Sequence, residues 1–381
     1  MQVIPPLQVI EAHKGGVWSI CVAPSGLIVT AGGDGLIKSW RLEASSGELL
    51  PLAQAVTPHT EVLLVRQSSR GVLLSVGHEG GLAAWELNPD SGQLAQRQQP
   101  VLPDDRQHYN DRLLETASGH LVAWAYGTVG YPAVCRWSEL ARTFVFLQDL
   151  PIERASVFLE LPDGDLLSGD EMGRLCRWRL EKSSGAWNKA GAIQAHEGPI
   201  HALAWTREHA LISAGGNDPL LKVWRADGGI GEWILEDSLR GHQSPILEAV
   251  EYGSAELLSA DCGQRSLLGW RHEPEVLVWD KGPEGFRLTQ RQPGRLRGIM
   301  EGILFMEEDE ASTLSLWRRK PERYERIAVL DRKRRGGVST LVPLASGARI
   351  AGGTDGSLVC WEPRPLLIQG ACDDRRTILG G

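Results

Sequence analysis

One short pattern recurs along this chain and limits what it can become: an apolar strand that ends in tryptophan. Tryptophan is over-represented, with 14 residues against 5 Tyr and 5 Phe. Compare Gly35-Leu36-Ile37-Lys38-Ser39-Trp40 with Gly81-Leu82-Ala83-Ala84-Trp85. The same ending closes the runs at Trp137, Trp178, Trp224, Trp279, Trp317 and Trp361. These eight strands recur at intervals of 38 to 55 residues, which brackets the period of about 40–45 expected when a repeat is one four-stranded sheet. The residues upstream repeat as well. Leu27–Gly35, Val72–Gly80, Ala210–Asp218 and Arg349–Gly356 each read as a strand followed by a Gly/Asp turn into the Trp strand. Glycine supplies the positive φ of such a turn, and Asp can bond the turn backbone.

A histidine lies further upstream in several repeats: Glu11-Ala12-His13, Thr57-Pro58-His59, Gln194-Ala195-His196 and Arg240-Gly241-His242. At this point the chain resembles the WD-repeat family, whose repeat carries Gly-His, four strands and Trp-Asp. The resemblance covers nearly the whole chain. It is strong in repeats 1, 2 and 5 and partial in repeat 6. Repeats 3, 4, 7 and 8 rest mainly on the Trp and its spacing, and only Trp279-Asp280 has the full dipeptide. The resemblance implies an all-β propeller of eight blades, with four antiparallel strands each. A seven-bladed ring with one irregular segment is the alternative. The propeller is expected over 1–365, closed by an N-terminal strand around 7–11, with 366–381 as a tail. Blade 6 ends at either Trp270 or Trp279. Trp279 is preferred, because Lys281–Gly285 then forms a turn before the next strand and 261–274 becomes an inserted loop. In blade 7, Ile303–Met306 must serve as a strand within a cramped repeat.

The family also implies a hydrogen-bonded set of His, Ser/Thr, Asp and Trp within a blade. The matching sets are His13, Thr30, Asp34 and Trp40; His59, Ser75, Glu79 and Trp85; and His196, Ser213, Asp218 and Trp224. A His/Ser/Asp combination can also suggest a hydrolase. Recurrence argues against that, since a catalytic constellation occurs once and these sets occur in several blades. No catalytic, cofactor-binding or metal residue is expected. His108, His120, His201, His209 and His272 show no metal-ligand spacing. Six scattered cysteines with no CxxC pair speak against a disulfide framework or a zinc knuckle. They fit a reducing cytoplasm, as does an N-terminus without a signal-peptide pattern.

Net charge is −8 and the sequence pI about 5.7, so nucleic acid or an anionic membrane is not the expected partner. Against that background two basic loops stand out: Gln290–Arg297, with Arg291, Arg295 and Arg297, and Asp331–Gly337, with Arg332, Lys333, Arg334 and Arg335. Both precede inner strands and should share one face. They could take an acidic segment of a partner protein, or be neutralised by Glu307-Glu308-Asp309-Glu310. Trp270 in the inserted loop is a further contact candidate. The expected function is a non-enzymatic protein-interaction scaffold, monomeric on its own. The compact turns resemble stand-alone bacterial members of the family, which implies a signalling or defence-type assembly. Two alternatives are a modifier processed at its Gly380-Gly381 end and a propeller enzyme of quinoprotein type.

Overall fold

The computed structural model describes residues 2–77, 81–97, 112–124, 130–226, 233–252, 256–266, 269–300, 302–308, 313–320, 323–333 and 336–362, with the backbone alone for 264–266 and 269–271. Every regular element among them is a β-strand. The strands form eight four-stranded antiparallel sheets, the blades of a propeller, which sets aside the seven-bladed alternative.

Blade 1 shows the plan: Val17–Val22, Ile28–Gly32, Leu36–Leu42 and Leu49–Val56, here termed strands a to d from the centre outward. Blades 2 to 5 follow over 62–96, 112–149, 155–194 and 200–240. Blade 6 uses Ile246–Tyr252, Glu256–Asp261, Glu275–Gly282 and Gly285–Pro293. Its strand c therefore carries Trp279, while Trp270 lies on Gly269–His272, one arm of a separate hairpin inserted between strands b and c. Blade 7 runs over Arg295–Met300, Ile303–Glu307, Thr313–Arg319 and Tyr324–Asp331, so the cramped repeat does yield four strands. Blade 8 takes strands a to c from Val338–Pro343, Arg349–Gly353 and Ser357–Trp361, and its strand d from Gln8–Glu11 at the start of the chain. One strand lies outside the expected scheme: Gln2–Ile4 runs parallel to strand d of blade 7 as a fifth strand.

Each blade is apolar on both faces, which explains why the second strands read as unbroken hydrophobic runs. Ile28–Gly32, Leu73–Gly77, Leu166–Asp170 and Arg349–Gly353 are buried at every position. Successive side chains point to opposite faces of a strand. Ile28 thus packs toward blade 8, and its neighbour Val29 toward blade 2. The buried residues fall into eight apolar clusters, one between each pair of adjacent blades.

Polar clamps tie neighbouring blades. Gln148 on strand d of blade 3 donates to Trp187 O at 2.9 Å and accepts from Trp187 N at 2.7 Å. Gln290 grips Tyr324 the same way between blades 6 and 7, at 2.9 and 2.6 Å. Gln8 does so across the closure, donating to Leu49 O at 3.4 Å and accepting from Leu49 N at 2.8 Å. At the end of the inner strand, Glu115, Glu160 and Glu251 accept backbone N–H bonds from Ser69, Ala117 and Arg207 of the preceding blade.

Candidate interaction face and its side-chain clusters

Strand order decides which loops meet. In an antiparallel four-stranded blade, the b–c loop and the loop from strand d to the next blade's strand a lie at one end. The histidine precedes strand a and the Asp follows strand b, so the two are neighbours in space. In blade 1, His13 Nδ1 lies 2.7 Å from Asp34 Oδ1 and His13 Nε2 2.9 Å from Thr30 Oγ1; Trp40 Nε1 donates to the same hydroxyl at 2.9 Å. In blade 5, His196 Nδ1 meets Asp218 at 2.9 Å, and Ser213 Oγ meets His196 Nε2 at 2.7 Å and Trp224 Nε1 at 2.8 Å. An ionised Asp only accepts, so Nδ1 carries the imidazole proton and Nε2 accepts from the hydroxyl. Burial lowers both histidine pKa values despite the adjacent Asp, which keeps the rings neutral. Thr30 and Ser213 are 0% exposed and already engaged by Trp, so neither hydroxyl can reach a substrate.

Blade 6 holds a third complete set. His242 Nδ1 lies 2.9 Å from Asp261 Oδ2 and Nε2 lies 2.7 Å from Ser259 Oγ, which Trp279 Nε1 also reaches at 2.8 Å. The sequence conceals it because the inserted hairpin stretches the Ser-to-Trp offset from 10 residues in blade 1's Thr30–Trp40 to 20 here. In blade 2, Trp85 donates to Ser75 at 2.9 Å, and Glu79 lies outside the described residues. Blade 4 retains Trp178 donating to Ser168 at 2.8 Å.

Register explains the remaining blades. The hydroxyl faces the residue two before Trp: Thr30 faces Lys38, and Ser213 faces Lys222. At that position blades 3, 7 and 8 place Leu121, Met306 and Ala351. Trp317 instead donates to Ser315 on its own strand at 2.9 Å, and Trp361 to Asp331 O at 3.1 Å.

The expected loop 290–297 is instead strand: Arg291 lies on Gly285–Pro293 and Arg295 and Arg297 on Arg295–Met300, joined through Gly294 at this face, and much of the basic charge is answered internally. Arg291 pairs with Glu275 at 2.6 Å, and Arg297 with Glu307 at 2.6 Å. Glu307 also accepts from Val338 N at 2.7 Å. Arg297 is the extra residue of a β-bulge, and a bulge re-aims a side chain. The same one-residue slip marks the start of strand a in blades 1, 2, 4, 5, 6, 7 and 8. Arg332 corrects the exposed-loop expectation. It is 1% exposed and occupies the place of the histidine in blade 8. A Cβ on Gly353 would meet its guanidinium and Asp355, as one on Gly32 would meet His13 and one on Gly215 would meet His196 and Asp218. Arg332 donates to Gly336 O, within its own loop. Arg295 and Lys333 are exposed; Arg334 and Arg335 lie outside the described residues.

The inserted hairpin pairs Gln264–Ser266 with Gly269–His272 and projects from the same face. The side chain of Trp270 lies outside the described residues, as do Gly380 and Gly381. At the hairpin base, His272 Nε2 lies 3.3 Å from Asp261 Oδ2 and 3.6 Å from Glu275 Oε1.

The family model "WD domain, G-beta repeat" matches residues 4–41 and 187–225. Among curated proteins, echinoderm microtubule-associated protein-like 3 of Homo sapiens is 38% identical over 71 residues, covering 16% of this chain and 8% of that protein, so the chain matches only a small part of its length. Among solved structures, Saccharomyces cerevisiae Sqt1 superposes with TM-score 0.72 at 15% identity, covering 95% of this chain and 99% of that one. The C-terminal WD40 domain of Sif2 gives 0.71 at 13% identity, covering 94% and 98%. Chaetomium thermophilum Sqt1 bound to the N-terminus of ribosomal protein L10 gives 0.70 at 15% identity, covering 94% and 100%.

Proposed function

The chain is a WD-repeat β-propeller, and we propose that it works without catalysis, as a scaffold that binds other proteins within a larger assembly. The observation that carries this reading is where the chain departs from its own repeat. Eight sheets obey one plan, and the hairpin Gln264–His272 breaks it on the His/Asp face. Loops on a rigid framework are where binding residues concentrate, because the framework sets their position without constraining their sequence. The His, Ser/Thr and Asp residues that could suggest chemistry are instead turned inward, with their hydrogen bonds satisfied within the blade. A structural neighbour, Sqt1, was solved holding the N-terminus of ribosomal protein L10, so a fold of this shape serves peptide capture there.

The contact zone in our reading comprises the hairpin together with Arg295 and Lys333 of the same face, and the partner presents a carboxylate-rich segment. The test is co-purification from the native host with two variants. One changes Arg295 and Lys333 to Ser; the other replaces residues 264–272 with a short Gly/Ser linker. Both leave Arg332 in place, since its side chain belongs to the interior of blade 8. The expected outcome is loss of a partner that the unchanged protein retains, with an unaltered circular dichroism spectrum. Equal recovery with both variants would refute the assignment.

A further inference from the structure

Comparing equivalent positions within this one chain isolates an anomaly in blade 6. In blades 1 and 5 the conserved-plan Asp is answered by a lysine four residues on: Lys38 Nζ lies 3.7 Å from Asp34, and Lys222 Nζ 3.1 Å from Asp218. These lysines face Thr30 and Ser213 across the sheet. In blade 6 the residue facing Ser259 is Leu277, so the ammonium is gone. Two residues earlier on the strand, where blade 1 has Leu36 and blade 5 has Leu220, blade 6 has Glu275. A second carboxylate has therefore been added, and the cation now comes from strand d: Arg291 donates to Gly241 O, as Lys38 does to Ala12 O and Lys222 to Ala195 O, and pairs with Glu275. The inserted hairpin brings His272 to the same spot.

We propose that His242, Asp261, Glu275 and His272 form a binding site for one divalent transition-metal ion, of the zinc class. The ligand atoms of His242, Asp261 and Glu275 all lie within 4.8 Å of one another. The separations are 2.9 Å for His242 Nδ1 to Asp261 Oδ2, 3.3 Å for His272 Nε2 to the same oxygen and 3.6 Å for His272 Nε2 to Glu275 Oε1. Around a tetrahedral zinc with bonds of about 2.0–2.2 Å, neighbouring ligand atoms stand about 3.3–3.5 Å apart. Two imidazole nitrogens with two carboxylate oxygens is a donor set suited to zinc rather than to calcium or magnesium, which favour oxygen alone.

The surroundings are built for orientation. Asp261 Oδ1 is held by the backbone N–H groups of Gly263 and Glu275, each at 3.1 Å, which leaves Oδ2 as the single outward donor. Ser259 fixes the His242 ring through Nε2 at 2.7 Å, so Nδ1 faces the cluster. With the metal on Nδ1, the ring carries its proton on Nε2 and donates it to Ser259 Oγ. That oxygen has two acceptor positions and gives only one to Trp279. Arg291 already touches Glu275 Oε1 and would share that oxygen with the ion or yield it. Together, Asp261, Glu275 and Arg291 carry one net negative charge, which a divalent ion reverses. Cys262 is not a ligand; its Sγ turns to Gly263 O at 3.2 Å. The ion would fasten the hairpin base to strands b and c of blade 6 without any apolar core. This inference stands apart from the protein-binding reading above.

The experiment uses the full chain, stripped with a chelator and titrated with zinc against a chromophoric competitor, with Co²⁺ absorption as a second probe. One equivalent of zinc is expected, with a four-coordinate Co²⁺ spectrum free of thiolate charge-transfer bands. His272→Ala and Glu275→Leu, the latter restoring the residue type of blades 1 and 5, should each weaken binding at least about tenfold. His201→Ala should bind as the unchanged protein does, and all variants should keep its circular dichroism spectrum. Absence of a one-equivalent site, or unchanged affinity in His272→Ala, would overturn the proposal.

Discussion

In blades 1, 5 and 6 a single hydroxyl sets the local chemistry. Thr30, Ser213 and Ser259 each serve two partners that have no other bond for the same atom, the Trp Nε1–H and the His Nε2. Thr30→Ala or Ser213→Ala strands both groups in a dry interior, at a cost of about 1–3 kcal/mol. Urea unfolding should show the loss directly, and Ser91→Ala on the exposed surface should show none. Acid acts on the same sets. Burial holds the folded pKa of His13 and His196 below the 6.5 of a free imidazole, so the unfolded chain binds more protons than the folded one. Stability from these histidines is present above pH 6.5 and drains away as pH falls below it; Asp34, also held low, adds to the loss at more acid pH. The urea midpoint should therefore fall between pH 7.5 and pH 5.5. A midpoint that rose would show the rings to be charged in the fold. At this scale the sequence was readable where the residue types repeat at a fixed offset, as in His13, Thr30, Asp34 and Trp40. It was opaque where the offset breaks, as at Asp261, and where a different residue fills the place, as Arg332 does for histidine. The cluster around Asp261 shows no ligand spacing along the chain because His242 and His272 arrive from different loops.

Among elements, the junctions carry the specificity. In blades 1, 4 and 8 the glycine of the b–c turn packs against the loop that brings in the next histidine. A Cβ on Gly356, at φ +81°, would stand 2.1 Å from His13 O, and one on Gly173, at φ +79°, 2.0 Å from His196 O. His13 and Ala12 also both donate to Gly356 O at 3.0 Å. Gly356→Ala should therefore cost about 2 kcal/mol or more, through strain at the very seam where the ring closes. Gln8→Ala, which removes the clamp on Leu49, should cost about 1 kcal/mol. Both effects are measurable as shifts in the thermal midpoint. The closing strand was legible because Leu7–Ile10 sits one repeat out of place, ahead of the first inner strand. The parallel strand Gln2–Ile4 was not, since three residues carry no usable period. The choice of Trp279 over Trp270 rested on the turn that follows it, and the structure shows that turn as the tight connection from Gly282 to Gly285.

For the molecule as a whole, blade number follows from counting the eight strands that carry Trp40, Trp85, Trp137, Trp178, Trp224, Trp279, Trp317 and Trp361, because each is strand c of one blade. The binding surface does not follow, because loops answer to partners and not to packing. An encounter that relies on the exposed Arg295 and Lys333 should weaken as ionic strength rises from 0.05 to 0.5 M, since the Debye length shrinks from more than 10 Å toward a few ångströms. Salt-independent recovery would point to the hairpin alone.

The order in which the ring is assembled has a consequence for the living cell. Gln8–Glu11 is synthesised about 350 residues before its partner Ser357–Trp361. At about 5–20 residues per second the opening segment waits tens of seconds without its sheet. Over that interval strand d of blade 8 exists without the blade it belongs to, so the hazard of mispairing with a neighbouring nascent copy lasts until Ser357–Trp361 is made.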